Sequence, residues 1–188
     1  MNKWFGKRTV RLLTMFAVLF GAFAAPAAAA ETIVQPEPSA GNVDMYLRLD
    51  GIAGDVKTKG YSGAIKISHL EFDASRASGD ASRTGGAAGK AELGDITIIK
   101  SLDASSVPIL LSVLTGKEVK SAEIVVVSRG AAPTPLYTIQ LSNVVLSNYH
   151  LVDTNESVRL SYAAMTVKYT KDGANVEGTW DRQRDGVR

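Results

Sequence analysis

Alternation constrains this chain more than any other feature. At residues 43–49, VDMYLRL, the apolar Val43, Met45, Leu47 and Leu49 interleave with Asp44, Tyr46 and Arg48. A period of two places the first set on one face of a half-buried strand. The segment at 64–73 does the same but changes phase, Ile65 and Ile67 sharing one face and Leu70 and Phe72 the other. A one-residue bulge near His69, or a strand passing between two sheets, restores a single buried face. Further β segments follow at 91–100 (AELGDITIIK), 122–127 (AEIVVV), 136–149 (LYTIQLSNVVLSNY) and 158–170 (VRLSYAAMTVKYT), rich in β-branched and aromatic residues. The last also changes phase, between Val158, Leu160, Tyr162 and Met165, Val167, Tyr169, so its halves are expected to act as two strands.

One stretch reads as a helix, at about 105–115. In SSVPILLSVLTGK, Val107, Leu110, Leu111 and Leu114 form the i, i+3, i+4, i+7 stripe expected to be buried. Ser105 or Ser106 can cap its start, Pro108 is tolerated in the first turn and Gly116 suits its end. The connections are DGIAGDVKTKGYSG at 50–63, a long Gly-rich loop, and ASRASGDASRTGGAAGK at 74–90, too small and polar to build a core. Residues 171–188 are polar, with Trp180 among charges, and read as a mobile tail. Short strands with a single helix predict a mainly β barrel or sandwich carrying the helix at one flank.

The chain begins with a different kind of segment. Lys3, Lys7, Arg8 and Arg11 precede an apolar core at 12–23, and small residues follow up to Ala28 and Ala30. That is the order of a secretory signal peptide cut between Ala30 and Glu31. Pro26 and the alanines dilute its second half below what a membrane anchor of ~20 apolar residues requires. The expected organisation is therefore a signal peptide at 1–30, a flexible Pro-containing leader at 31–42, a barrel domain at 43–170 and a tail at 171–188. About 158 residues would remain, enough for one domain that buries roughly 70% of its unfolded surface. All four basic residues before Glu31 leave with the signal, and 21 basic against 19 acidic residues become 17 against 19, a balance of −2. Nothing in that balance points to nucleic acid or an anionic membrane surface. The expected location is periplasmic or secreted, with the membrane met only during export; a chain whose start is not a signal would stay cytoplasmic.

Chemistry-bearing motifs are few. With no cysteine there is neither a disulfide framework nor a thiolate nucleophile. TGGAAGKA at 84–91 lacks the first glycine and the hydroxyl of a phosphate loop, and a strand follows it where a helix is needed. His69 and His150 are the only histidines, too few for a three-histidine zinc site. GYSG at 60–63 is half of a nucleophile elbow, and DTNES lacks the central glycine of a calcium loop and its terminal glutamate at the required distance. The pairs Asp50/Asp55 and Asp153/Glu156 read as turn or surface charge. The expectation is no enzyme, no catalytic residue, no metal and no cofactor.

Taken in order, VDMYLRLDGIAGDV, IKISHLEF, GGAAGKAELGDITIIKSLDASSVPILLSVLTGK, AEIVVV and YTIQLSNVVLSNY resemble the Hcp family, the haemolysin-coregulated tube proteins of type VI secretion. The similarity spans about 43–170, and its most distinctive part is the frame Lys100, Asp103, Pro108, Gly116, Lys117 around the helix. The resemblance implies a closed β-barrel of two sheets with one flanking helix, homohexameric rings that stack into a tube, a spike protein at its tip and small effectors in its lumen. It also implies that the 50–61 loop, with Asp55, Lys57, Lys59 and Tyr61 as subunit-interface candidates, reaches a neighbouring ring. The other reading is an exported monomeric module of the same fold that binds a ligand or an envelope protein.

Overall fold

The structure, a computed structural model, describes residues 42–76, 91–130, 132–171, 173–182 and 186–187. In chain order the elements are β1 (Val43–Leu49), β2 (Ile65–Glu71), β3 (Ala74–Arg76), β4 (Ala91–Leu93), β5 (Ile96–Ser101), α1 (Ser106–Thr115), β6 (Glu118–Ser128), β7 (Pro135–Val152), β8 (Asn155–Ser161), β9 (Ala164–Lys171), β10 (Ala174–Asp181) and β11 (Gly186–Val187). Hydrogen bonding runs β7-β6-β1-β2-β5-β8 and returns to β7, which closes a six-stranded antiparallel barrel. The segments expected as a signal peptide (1–30) and as most of the leader (31–41), with the Gly-rich residues 77–90, lie outside the described residues.

β7 makes closure possible because it serves two sheets along one edge. Its first half, Tyr137–Ser142, pairs with β9, and its second half, Val145–Val152, pairs with β8. Asn143, at φ 51°, sits between the halves, and the core-facing phase changes there from Ile139 and Leu141 to Val144 and Leu146. β8 and β9 part at Tyr162–Ala163, where β8 turns to β5 and β9 carries the sheet outward, as the phase change predicts. The bulge expected near His69 is present: the β2–β5 register shifts between Ile67 and His69, so Ile65, Ile67, Leu70 and Phe72 all meet one core.

The segment expected as one strand at 91–100 is two. Gly94 lies against Asp73, whose carbonyl accepts its N–H at 2.8 Å, and a Cβ there would fall 2.1 Å from the Asp73 carboxylate. The chain therefore leaves the β3–β4 ribbon at that point and starts β5 two residues on.

Two expectations are corrected. Residues 171–188 are not a tail where they are described: a turn with Gly173 at φ 83° returns the chain as β10, paired with β9 along its length, and β11 pairs with Trp180 and Asp181. Polar composition hid a period of two in which Val176, Gly178 and Trp180 face Tyr169, Val167 and Met165. Arg182 fastens this end, its guanidinium 3.0 Å from Asp95 and 4.9 Å from the centre of the Tyr162 ring.

The second correction concerns α1, whose apolar stripe faces outward. Val107, Leu111 and Leu114 are 64%, 54% and 72% exposed, while Ser106, Ile109 and Ser112 are buried. Residues three apart share a helix face, so a contact that draws Ser106 inward also takes Ile109 in and turns the leucines out. Neither serine caps the start: Ser105 has helical backbone angles and donates its hydroxyl to Asp103. Gly116, at φ 64°, ends the helix as expected, and the next N–H, of Lys117, reaches the Ser112 carbonyl at 3.2 Å.

This orientation has a measurable consequence. Ile109→Ala is expected to cost ~2–5 kcal/mol in urea unfolding, as for other fully buried aliphatics. Leu114→Ala should change stability by less than about 0.5 kcal/mol. The reverse order would mean that the stripe is the buried face.

Candidate functional site

The 50–64 connection is a flap folded onto its own barrel. Its backbone closes on itself through Gly54 N–H to Gly63 O (2.9 Å), Gly63 N–H to Val56 O (2.9 Å) and Val56 N–H to Ala64 O (3.1 Å). Gly54 permits this crossing, since a Cβ would lie 2.5 Å from the Ala64 carbonyl oxygen. Beneath it Tyr46, Tyr61, Ala64, Val125 and Val127 form a second, small core on the outer face of β1 and β6, with Val56 against it. The rings of Tyr46 and Tyr61 stack at 4.8 Å, and Arg48 lies 5.3 Å from the centre of Tyr61 while donating to Gly60 O and, at 3.0 Å, to Glu123.

The interface candidates divide accordingly. Tyr61 is buried within its own chain and holds the flap down, whereas Asp55, Lys57 and Lys59 alternate with inward Val56 and Thr58 and face solvent. Asp55 also accepts the Ala104 N–H at 3.1 Å, which ties the flap to the start of α1. Ala30 and Glu31 lie outside the described residues.

Under that tie lies a buried charge network. Lys100 and Glu156 face each other across the β5–β8 register, and both side chains are completely buried and in direct contact. The Lys100 ammonium also reaches Asp103 Oδ1 at 2.9 Å and Ser106 Oγ at 3.1 Å, so its three protons have three acceptors. Ser106 Oγ accepts in addition from Asp103 N–H at 3.0 Å and donates to Glu156 at 2.8 Å; the Tyr149 hydroxyl donates to the other Glu156 oxygen at 2.6 Å. No buried side-chain polar atom among the described residues lacks a partner.

Burial pushes the Glu156 carboxyl up, but the bonds from Lys100, Tyr149 and Ser106 and the Lys100 charge outweigh it, and the net direction is down. Asp103 follows the same balance: burial raises it, while bonds from Ser105 and Lys100 bring it below the usual carboxylate range. Tyr149 is pushed up to about 12, first by donating to Glu156 and then by burial.

Glu156 is thus the anchor of a core lysine and not surface charge. The available signal was Lys100 itself, which continues the buried phase of Ile96 and Ile98 and therefore needs an acid beside it. His69 lies 3.6 Å from Glu71, His150 is exposed, and among the described residues no three metal-ligating side chains gather.

The family model described as "Type VI secretion system effector, Hcp" matches residues 46–169. Among solved structures, Hcp1 from Salmonella typhimurium aligns with a TM-score of 0.66 at 18% identity, over 78% of this chain and 99% of that one. A structure described as a type six secretion system protein aligns at 0.71 with 17% identity, over 77% and 99%. A type VI secretion system effector from Yersinia pestis aligns at 0.61 with 23% identity, over 73% and 99%. No curated protein matches the chain. No helix among the described residues is long and apolar enough to cross a membrane.

Removing one partner of the buried pair strands the other charge. Lys100→Met alone or Glu156→Leu alone should cost ~3–5 kcal/mol by urea unfolding, and the double variant should recover most of it. Single losses below about 1 kcal/mol would place the pair in contact with water. The pH dependence has one sign: the folded pKa values of Glu156 and Asp103 lie below their unfolded values of about 4.3 and 3.9. Their stabilisation is complete above about pH 5 and is lost as pH falls through the folded values. Glu156→Gln should flatten that acid limb.

Proposed function

We propose, because the chain belongs to the Hcp family of type VI secretion proteins, a structural family of that system, that its barrel is a self-associating subunit which acts without catalytic residues or a cofactor. Six copies would form a homohexameric ring and rings would stack, with a spike protein at one end and small effectors as cargo. Residues 1–30 would direct export, with cleavage between Ala30 and Glu31 and a periplasmic or secreted mature chain; the basic head, apolar core and small residues support this.

The observation that carries self-association is α1. A helix without a single charge turns Val107, Leu111 and Leu114 to the outside of an otherwise closed fold. An exposed apolar surface on an ordered element is the usual mark of a contact with another protein surface. The flap supplies a second, charged surface through Asp55, Lys57 and Lys59 for the contact between rings.

Leu111→Asp with Leu114→Asp should shift a ring to monomer in sedimentation while leaving the circular dichroism spectrum unchanged. Lys57→Ala with Lys59→Ala should leave rings intact but shorten stacks seen by electron microscopy. A wild-type chain that stays monomeric at every concentration contradicts the ring, and flaps without Lys57 and Lys59 that stack like the wild type contradict the stacking role.

A further inference from the structure

The register across five strands sets one apolar side chain of each in a single row. Met45 on β1 stands opposite Val126 on β6, Val126 opposite Tyr137 on β7, Tyr137 opposite Tyr169 on β9, and Tyr169 opposite Val176 on β10. Alternation puts the row on the side of the sheet that carries Leu47, Ile124 and Ile139, one place beyond the core. Cover runs out along it: Met45, Val126 and Tyr137 are half-buried, while Tyr169 is 44% and Val176 68% exposed. Gly178, on the same side as Val176, has nothing within 4 Å of where a Cβ would stand, so a hollow lies between Val176 and Trp180. Lys168 and Glu177, paired in register, face the other side of the sheet.

The same chain carries a second uncovered apolar surface, the outward stripe of α1. The helix SVPILLSVLT bears no charge, so laying it on the row strands none. Spacing matches as well. Val107, Leu111 and Leu114 rise over about 10 Å along the helix, and Tyr137, Tyr169 and Val176 lie on three successive strands that span about 10 Å. The opposite side of the sheet fits the stripe less well, because Lys168, Glu177, Arg48 and Glu123 would lose water there without gaining a partner.

We propose that α1 of one copy lies across this row in the next copy, with Leu111 over Tyr169 and the neighbouring helix side chains over Tyr137 and into the hollow at Gly178. Helix and row are different surfaces, so the contact is head to tail, and each copy uses both; repeated by rotation, it closes as a ring. The inference rests on the self-association reading and names the surface that receives α1.

The chain has no cysteine, so introduced thiols report the contact. Leu111→Cys chains co-expressed with Tyr169→Cys chains should give a mixed disulfide dimer on mild oxidation, and neither variant should crosslink alone. Tyr169→Asp with Val176→Asp should convert rings to monomers in sedimentation with an unchanged circular dichroism spectrum, since both residues are exposed. Crosslinking of Leu111→Cys alone would mean that helix meets helix, and of Tyr169→Cys alone that row meets row; either overturns the proposal. Rings that survive Tyr169→Asp with Val176→Asp but dissolve with Leu111→Asp and Leu114→Asp overturn it while leaving self-association through α1 standing. A wild-type chain that is monomeric throughout removes both.

Discussion

The rest of the structure hangs on a lysine and a glutamate placed in the core. Lys100 and Glu156 stand opposite each other on β5 and β8, the pair of strands whose meeting closes the barrel. Two buried charges tolerate only the register that joins them, since a slip of one residue turns every side chain to the other face and leaves each charge alone in a dry interior. Such a pair adds little net stability over a hydrophobic equivalent. Its effect is to make one closure much better than its neighbours.

The same network reaches outward. Ser106 and Asp103 bring in the first turn of α1, Tyr149 brings in β7, and Ala104, between Asp103 and Ser105, holds the flap through Asp55. Rotation of the helix follows from Ser106, so the outward leucines are a consequence of the buried charges. The flap is fixed at one end by Asp55 and at the other by the Tyr46–Tyr61 stack. A surface ordered before its partner arrives loses less conformational entropy on association, which suits the proposed self-association.

Local pattern made much of this legible in advance. The bulge at His69, the break at Tyr162–Ala163 and the helix end at Gly116 all follow from phase changes or a glycine, signals carried by a few adjacent residues. What sequence reading missed was decided by contacts distant along the chain. The leucine stripe of α1 points away from the core because Ser106 bonds Glu156, fifty residues on. β10 looked like tail because only pairing with β9 gives its polar residues a strand's role. Of the four interface candidates, Tyr61 went inward, since an aromatic ring in a charged loop is drawn to the nearest apolar face, while Asp55, Lys57 and Lys59 remained outside.

The account's central claim is that the buried network seats the helix start and the flap within the single chain. Amide hydrogen exchange on the monomeric chain measures this directly, at Ala104, Gly54, Val56 and Gly63. Protection of these amides in the monomer, reduced together in Glu156→Gln, is the predicted result. Exchange at the rate of an unstructured loop, with protection gained only on assembly, would contradict it.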